Sequence, residues 1–451
     1  MERSWGEKNC ELEIMSAFLP FFISFLIGFL LINFLVGKKA PKDFWLIFFL
    51  AVGLGLGISG LLTFFLILLF NGYDRTSIFL AHFYLLAILL IIQRKNKFQI
   101  LLPEFHLNSS VPFLFFAAAS IGIYFAAQNH PFGEWDSWAL WNLKAKFIVL
   151  SSDWRDVFRL HWHTQPDYPL LLPLINIWGW SFSRGDFFAV SLLTSVIFTI
   201  SCAGVLFAAL SRYTSEKLAL LISLFLVSFP PYLFLGTSQY ADIVLSYYLL
   251  SSCVLLVLSI RDNNEDFTLL CGIFIGFMPF AKNEGIILSL LFLIIASLSC
   301  LGRKKILAIY LGILISLPVT VIFKIFLAPT NRDIFFNPAS LQFFNFEGCY
   351  VVLANFLQNI FSAAWREVSL VILVGAIIAR KGLLRKEVKL LLIFLLSYSM
   401  VVFFVYLTTA HFSLTWRLSR TISRILFYLL PSALFIIFYT LFQGDKKENP
   451  S

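Results

Sequence analysis

Five short groups of polar and ionisable residues stand out against an apolar background. They are Glu134-Trp135-Asp136, the stretch His161 to Pro169, Gln239-Tyr240-Ala241-Asp242, Lys282-Asn283-Glu284-Gly285, and the arginines Arg417, Arg420 and Arg424. Carboxylates of this kind act as general bases or hold a divalent cation such as Mg or Mn, here through Glu134 and Asp136. Lysine and arginine bind phosphate and stabilise a departing anion. Each group also has a plainer reading. Glu134 and Asp136 suit a solvated loop, and Asp242 suits capping of a helix. Lys282 and Glu284 suit a hairpin turn, and the arginines suit anchoring at lipid headgroups. His161, His163 and Asp167 could ligate a metal, but their spacing fits no tight motif, and no Cys/His spacing resembles a zinc site.

The elements that hold these groups must be membrane helices. Of the 451 residues, 59% are hydrophobic and only 13% charged, where a soluble domain carries roughly 25% charged residues. Runs of about 20 apolar residues recur along the chain, as spans require. They are too long for barrel strands. The expected fold is an all-α polytopic bundle of about thirteen spans, near 15–36, 44–70, 78–93, 111–127, 186–210, 218–235, 243–260, 267–281, 286–301, 306–327, 351–379 (broken around Trp365), 388–408 and 425–442. The run from Met15 is too long for a signal-peptide core and reads as a retained helix.

The net charge of +9 does not indicate nucleic acid, because the basic residues lie in short clusters between apolar runs. Lys38, Lys39 and Lys42, Arg94, Lys95 and Lys97, Arg212 and Lys217, Arg303 to Lys305, Arg380 to Lys389, and Lys446 and Lys447 all fall on one side. The positive-inside rule makes that side cytoplasmic. The N-terminus is then extracytoplasmic, the C-terminus cytoplasmic, and all five polar groups share the extracytoplasmic face of a plasma (inner) membrane. Residues 1–110 form an N-terminal three-helix segment, 111–442 a core, and 443–451 a tail. The long hydrophilic connection 128–185 holds seven of the eleven tryptophans. Trp135, Trp138 and Trp141 recur every three residues, which places them near one face of a helix lying at the membrane surface.

Groups at that height match the headgroup of a lipid-linked phosphate sugar whose tail stays in the bilayer. The chain also resembles the GT-C superfamily of integral-membrane glycosyltransferases, in the group of lipopolysaccharide-core and aminoarabinose transferases and protein O-mannosyltransferases. The resemblance covers about 130–430. Glu134-Trp135-Asp136 stands where that group has its acidic loop motif, and Gln165 to Leu171 stands where it has a Tyr-Pro-rich stretch leading into a span. Tyr240-Ala241-Asp242, Lys282 to Gly285 and Ser423 to Pro431 resemble its later acidic, lysine and arginine motifs.

By that resemblance Asp136 is the acid/base, assisted by Glu134, and Lys282, Arg420 and Arg424 bind the donor phosphate. His163, Asp167, Tyr168, Tyr240, Asp242 and Glu284 contact substrate. The partners are a polyprenyl-phosphate sugar and a glycan, lipid or protein acceptor. The family usually opens its long loop after the first span, whereas here three further spans come earlier, and a Glu-Trp-Asp sequence replaces its usual Asp-Glu pair. Two other classes compete: a transporter or flippase of a lipid-linked or anionic solute, to which Lys324 inside a span would belong, and a non-catalytic envelope-assembly partner.

Overall fold

The computed structural model describes residues 2–36, 43–95, 110–183, 187–298, 301–330, 345–408 and 413–443. Most of these residues are helical, and no strand occurs among them. A chain this apolar satisfies its backbone donors and acceptors within each segment, which is what a bilayer demands. The helices run in order α1 (Glu2–Val36), α2 (Phe44–Leu69), α3 (Arg75–Lys95), α4 (Ser110–Gln128), α5 (Asn142–Leu150) and α6 (Leu171–Trp180). There follow α7 (Phe187–Ser211), α8 (Glu216–Ser228), α9 (Pro230–Thr237), α10 (Ala241–Arg261), α11 (Glu265–Ala281) and α12 (Asn283–Leu298). The last third holds α13 (Arg303–Ile313), α14 (Leu317–Ile322), α15 (Phe346–Ile360), α16 (Arg366–Ile378), α17 (Lys386–Thr408) and α18 (Leu414–Phe442).

This is an all-helical membrane protein. Among the described residues, seven helices are long and apolar enough to span a bilayer, and nine spans result if each of two bent pairs counts as one. The pair α8–α9 bends by 68° at Phe229, just before Pro230 and Pro231, and the pair beginning with α13 bends by 50° before Pro318. A proline cannot donate the backbone hydrogen bond that would carry the helix straight through. The segment expected at 351–379 is broken as the sequence suggested, into α15 and α16, with Trp365 at the start of the second piece. The clusters at Lys38, Lys39 and Lys42, at Lys97, and at Lys446 and Lys447 lie outside the described residues.

Helix α10 is the axis of the molecule: 94% of its spanning window is buried, and every residue from Ala241 to Ser259 is inside. Helix α2 packs directly on it. The Tyr247 hydroxyl donates to the Phe49 carbonyl at 2.7 Å, and the Tyr248 hydroxyl to the Gly53 carbonyl at 2.8 Å. Gly53 permits this approach, since a Cβ there would lie 2.0 Å from the Tyr247 ring.

The hydrophilic connection is shorter than expected. Leu171–Trp180 is a helix whose every residue is buried, and it packs against α2, so the polar segment ends near Leu170. Its tryptophan stripe also divides. Trp135 and Trp138 are 63% and 49% exposed and meet edge to face, whereas Trp141 is fully buried. The cause is a π-helical turn over Ser137–Trp141. Such a turn holds more residues than an α-helical one, so a three-residue step no longer returns to the same face.

A buried ionic cluster at the loop end of the bundle

The site begins with the chain preceding α10. Gln239 is buried with φ +61, a left-handed conformation uncommon outside glycine. Three contacts hold it there. Its side chain donates to the Pro131 carbonyl at 2.8 Å and accepts from Asn142 at 3.2 Å, and its backbone N–H donates to the Ser195 hydroxyl. Asn142 accepts in turn from Asn176 at 3.0 Å and from Ser191 at 2.9 Å. This dry amide network ties α5, α6 and α7 to the start of α10, and it fixes where Asp242 emerges.

Asp242 lies in the first turn of α10 with its side chain wholly buried. It does not cap the helix. Its carboxylate accepts from Arg424 Nη2 at 2.6 Å and Nε at 3.3 Å, and from Lys282 Nζ at 3.0 Å. Arg424 turns its remaining amino group to Asp136 at 2.6 Å. One guanidinium therefore bridges a loop carboxylate and a span carboxylate that are far apart in sequence, the forked geometry that arginine offers and lysine does not. Lys282 also meets Glu284 at 2.8 Å. Lys282 is buried between α11 and α12 and does not solvate an exposed turn. Rings close the cluster: Tyr240 stacks on the guanidinium at 4.8 Å, and Tyr428 lies 5.9 Å from Lys282. The Tyr240 hydroxyl accepts from the Asp136 backbone N–H at 3.4 Å. Burial, reinforced by the Asp136 charge, pushes the Tyr240 phenol up to about 12.

Three acids and two bases meet here, an excess of one negative charge. Glu134 is adjacent through its backbone, donating to the Ser238 carbonyl at 3.2 Å. The turn depends on Gly133, at φ +70, where a Cβ would sit 2.7 Å from that same carbonyl. Arg420 is exposed one turn before Arg424, and Arg417 bonds the Tyr406 carbonyl at 2.9 Å.

A second group lies on the neighbouring residue of the α11–α12 turn. Asn283 donates to Asp167 Oδ2 at 2.9 Å. Lys324 donates to the Asp167 carbonyl at 2.6 Å and pairs with its carboxylate at 3.6 Å. Lys144, wholly buried beneath them, donates to the carbonyls of Gln165 at 2.6 Å and Tyr168 at 3.2 Å, and it lies 5.6–5.7 Å from the Trp141 and Tyr168 rings. Desolvation pushes its ammonium down to about 7, with the Asp167 charge opposing and the Lys324 charge adding to the shift. His161 and His163 stay at the surface, stacked on each other at 4.9 Å.

The structure thus brings together Asp136, Asp242, Lys282, Glu284, Arg424 and Tyr240, and places Asp167 and Tyr168 in the adjoining group. It leaves His163 and Arg420 outside both. Among the described residues no three His, Cys, Asp or Glu side chains converge as metal ligands. Asp136 and Asp242 meet at a guanidinium, so the donor set does not fit a divalent cation held by Glu134 and Asp136. Lys144 and Asn142 were not singled out as site residues from sequence, and Gln239 only as part of the group Gln239–Asp242. The only signal they gave was a polar side chain within a tryptophan-rich segment or beside a polar motif. No family model matches this chain, and neither does any curated protein or solved structure.

Proposed function

We propose that this protein is a glycosyltransferase of the plasma membrane that takes a sugar from a polyprenyl-phosphate donor to an acceptor hydroxyl on the extracytoplasmic face. The observation that carries the reading is the Arg424 bridge: the half-buried Arg424 and the buried Lys282 share one buried carboxylate, with a second carboxylate, Asp136, on the same guanidinium. A phosphate arriving at this point competes with carboxylate oxygens for the arginine fork, because both present the paired oxygens it recognises. Its arrival detaches Asp136 from Arg424, and the freed carboxylate then accepts a proton.

In the reaction so read, the acceptor oxygen attacks the anomeric carbon as Asp136 takes its hydrogen. The bond from that carbon to the phosphate oxygen breaks with inversion, and the polyprenyl phosphate leaves against Lys282 and Arg424. Charge stabilisation at the leaving oxygen supplies the larger share of the acceleration, as fixed donors in a dry site do. The resemblance to GT-C transferases supports the same assignment of roles. Lys324, the residue that most suggested a transporter, pairs with the loop residue Asp167 three residues before its helical segment ends. That position suits an interfacial group better than a mid-membrane one.

The test is transfer from a panel of radiolabelled polyprenyl-phosphate sugars by purified protein in liposomes, with wild type beside Asp136→Asn. Transfer that falls by at least about a hundredfold in the variant, with donor binding retained, supports the reading. Labelled lipid that changes leaflet equally in both proteins, with no donor consumed, replaces it with a flippase.

A further inference from the structure

The second group of charges asks for a ligand of its own. Lys324 sits in a π-helical turn, Phe323–Leu327, whose following residues Ile325 and Phe326 are 67% and 76% exposed. In a membrane protein, apolar side chains so exposed face lipid. The lysine therefore stands at the border between the bilayer and the polar loop. Its ammonium has three donors. One is spent on the Asp167 carbonyl at 2.6 Å, and the carboxylate pairing at 3.6 Å is loose. A side chain only 25% exposed, with part of its donor capacity held this weakly, is incompletely satisfied. Lys144 lies below on the same loop, so two lysines share the carboxylate of Asp167, with Glu284 the next negative charge acting on Lys324. Beside them, the Asn283 Oδ1 atom is buried without a hydrogen-bond partner, although the amide nitrogen of the same side chain is bound to Asp167. A buried acceptor left open costs free energy unless a donor reaches it.

We infer that Lys324 and Asn283, with Asp167 as the resident competitor, form a headgroup site for an anionic lipid that carries a hydroxyl beside its phosphate. The phosphate takes the loosely used donors of Lys324, displacing the Asp167 carboxylate. The neighbouring hydroxyl donates to Asn283 Oδ1. The acyl chains run along the exposed Ile325 and Phe326. This site lies one residue along the α11–α12 turn from Lys282, and it does not depend on the transferase reading.

Phosphatidylglycerol has this chemistry and is the probe. Full-length protein is taken into nanodiscs or mild detergent with defined fractions of phosphatidylglycerol and phosphatidylcholine, and bound lipid is counted by native mass spectrometry. Wild type is expected to retain phosphatidylglycerol over phosphatidylcholine. Lys324→Gln is expected to weaken that retention roughly tenfold, the scale of one charged hydrogen bond. Asp167→Asn is expected to strengthen it, because the competing charge is gone while the side chain stays. A merely structural pair would lose retention in both variants, so opposite signs separate the two accounts. Lys324→Arg, which keeps the charge, should preserve binding and guards against misfolding of the glutamine variant. Equal retention of the two lipids by wild type overturns the proposal, as does retention unchanged in Lys324→Gln. Displacement of the lipid by millimolar inorganic phosphate also overturns it, by assigning the site to a soluble anion.

Discussion

Helix α10 carries an arginine clamp at each end. At one end Arg424 joins Asp242 to Asp136, and at the other, about 30 Å away for a helix of this length, Arg212 joins Asp262 to Asp43. The distances match: 2.6 Å twice in the first, 2.5 Å and 2.8 Å in the second. The two arginines are nearly alike in exposure, at 20% and 17%, but the carboxylates are not: Asp242 is 0% exposed, whereas Asp43 and Asp262 are 39% and 35%. Solvated carboxylates keep most of their hydration, so the Arg212 clamp is screened and contributes little. Burial makes the Arg424 clamp costly to break and sensitive to any competing anion. Lys282 adds a second cation to Asp242, for which the far end has no equivalent among the described residues. Alike as hydrogen-bond patterns, the two differ as chemistry because only one contains a carboxylate, Asp242, wholly withdrawn from water.

The comparison breaks most clearly at the two aspartates. Asp242→Asn leaves Arg424 with Asp136 alone and Lys282 with Glu284 alone, and the expected loss is about 3 kcal/mol of stability. Asp262→Asn is expected to lose about 1 kcal/mol or less. Thermal unfolding of the two variants in one detergent decides it, and similar losses would remove the distinction.

The arginines sharpen it next. Arg424→Lys keeps a charge but cannot span two carboxylates, and under the proposed transferase function sugar transfer is expected to fall on the order of a hundredfold with the helical fold intact. Arg212→Lys should leave transfer unchanged, measured in the same liposome assay beside circular dichroism of each variant.

The smallest effect concerns pH. Lys144 is held near 7 in the fold against an ordinary value of 10.5. The unfolded chain therefore binds the extra proton between about 7 and 10.5, and stability rises with pH across that window. Below pH 7 both states are protonated and the cost of the buried charge is present in full. The unfolding midpoint should rise more between pH 6 and pH 9 in wild type than in Lys144→Met, and equal slopes would show that Lys144 has no part in it.

The five polar groups could be read from sequence because ionisable residues at the ends of apolar runs are few, and a topology drawn from other residues set them on one side. Asp136, Asp242, Lys282 and Arg424 do share one cluster. The buried polar residues of the loop were invisible by comparison. Lys144 and Asn142 look like solvated loop residues until the π-helical turn carries Trp141 inward and the fold closes over them. Lys324 lay inside an expected span, where snorkelling toward an interface was the plainer reading, but its partner Asp167 was not legible because it lies in another segment altogether. The stripe of three tryptophans failed for a local reason, since an α-helical period does not apply across a π turn.

By itself, the sequence determined that this chain is a bundle of membrane helices, because apolar runs of that length have no other way to satisfy their backbone in lipid. It also determined which polar residues border the spans, since charge patterning is a property of the linear chain. Only the tertiary structure decided which of those residues meet. Ion pairing between Asp136, Asp242 and Arg424 depends on where α10, α18 and the loop pack, and burial, which sets the strength of each pair, belongs to the assembled bundle and not to any one segment.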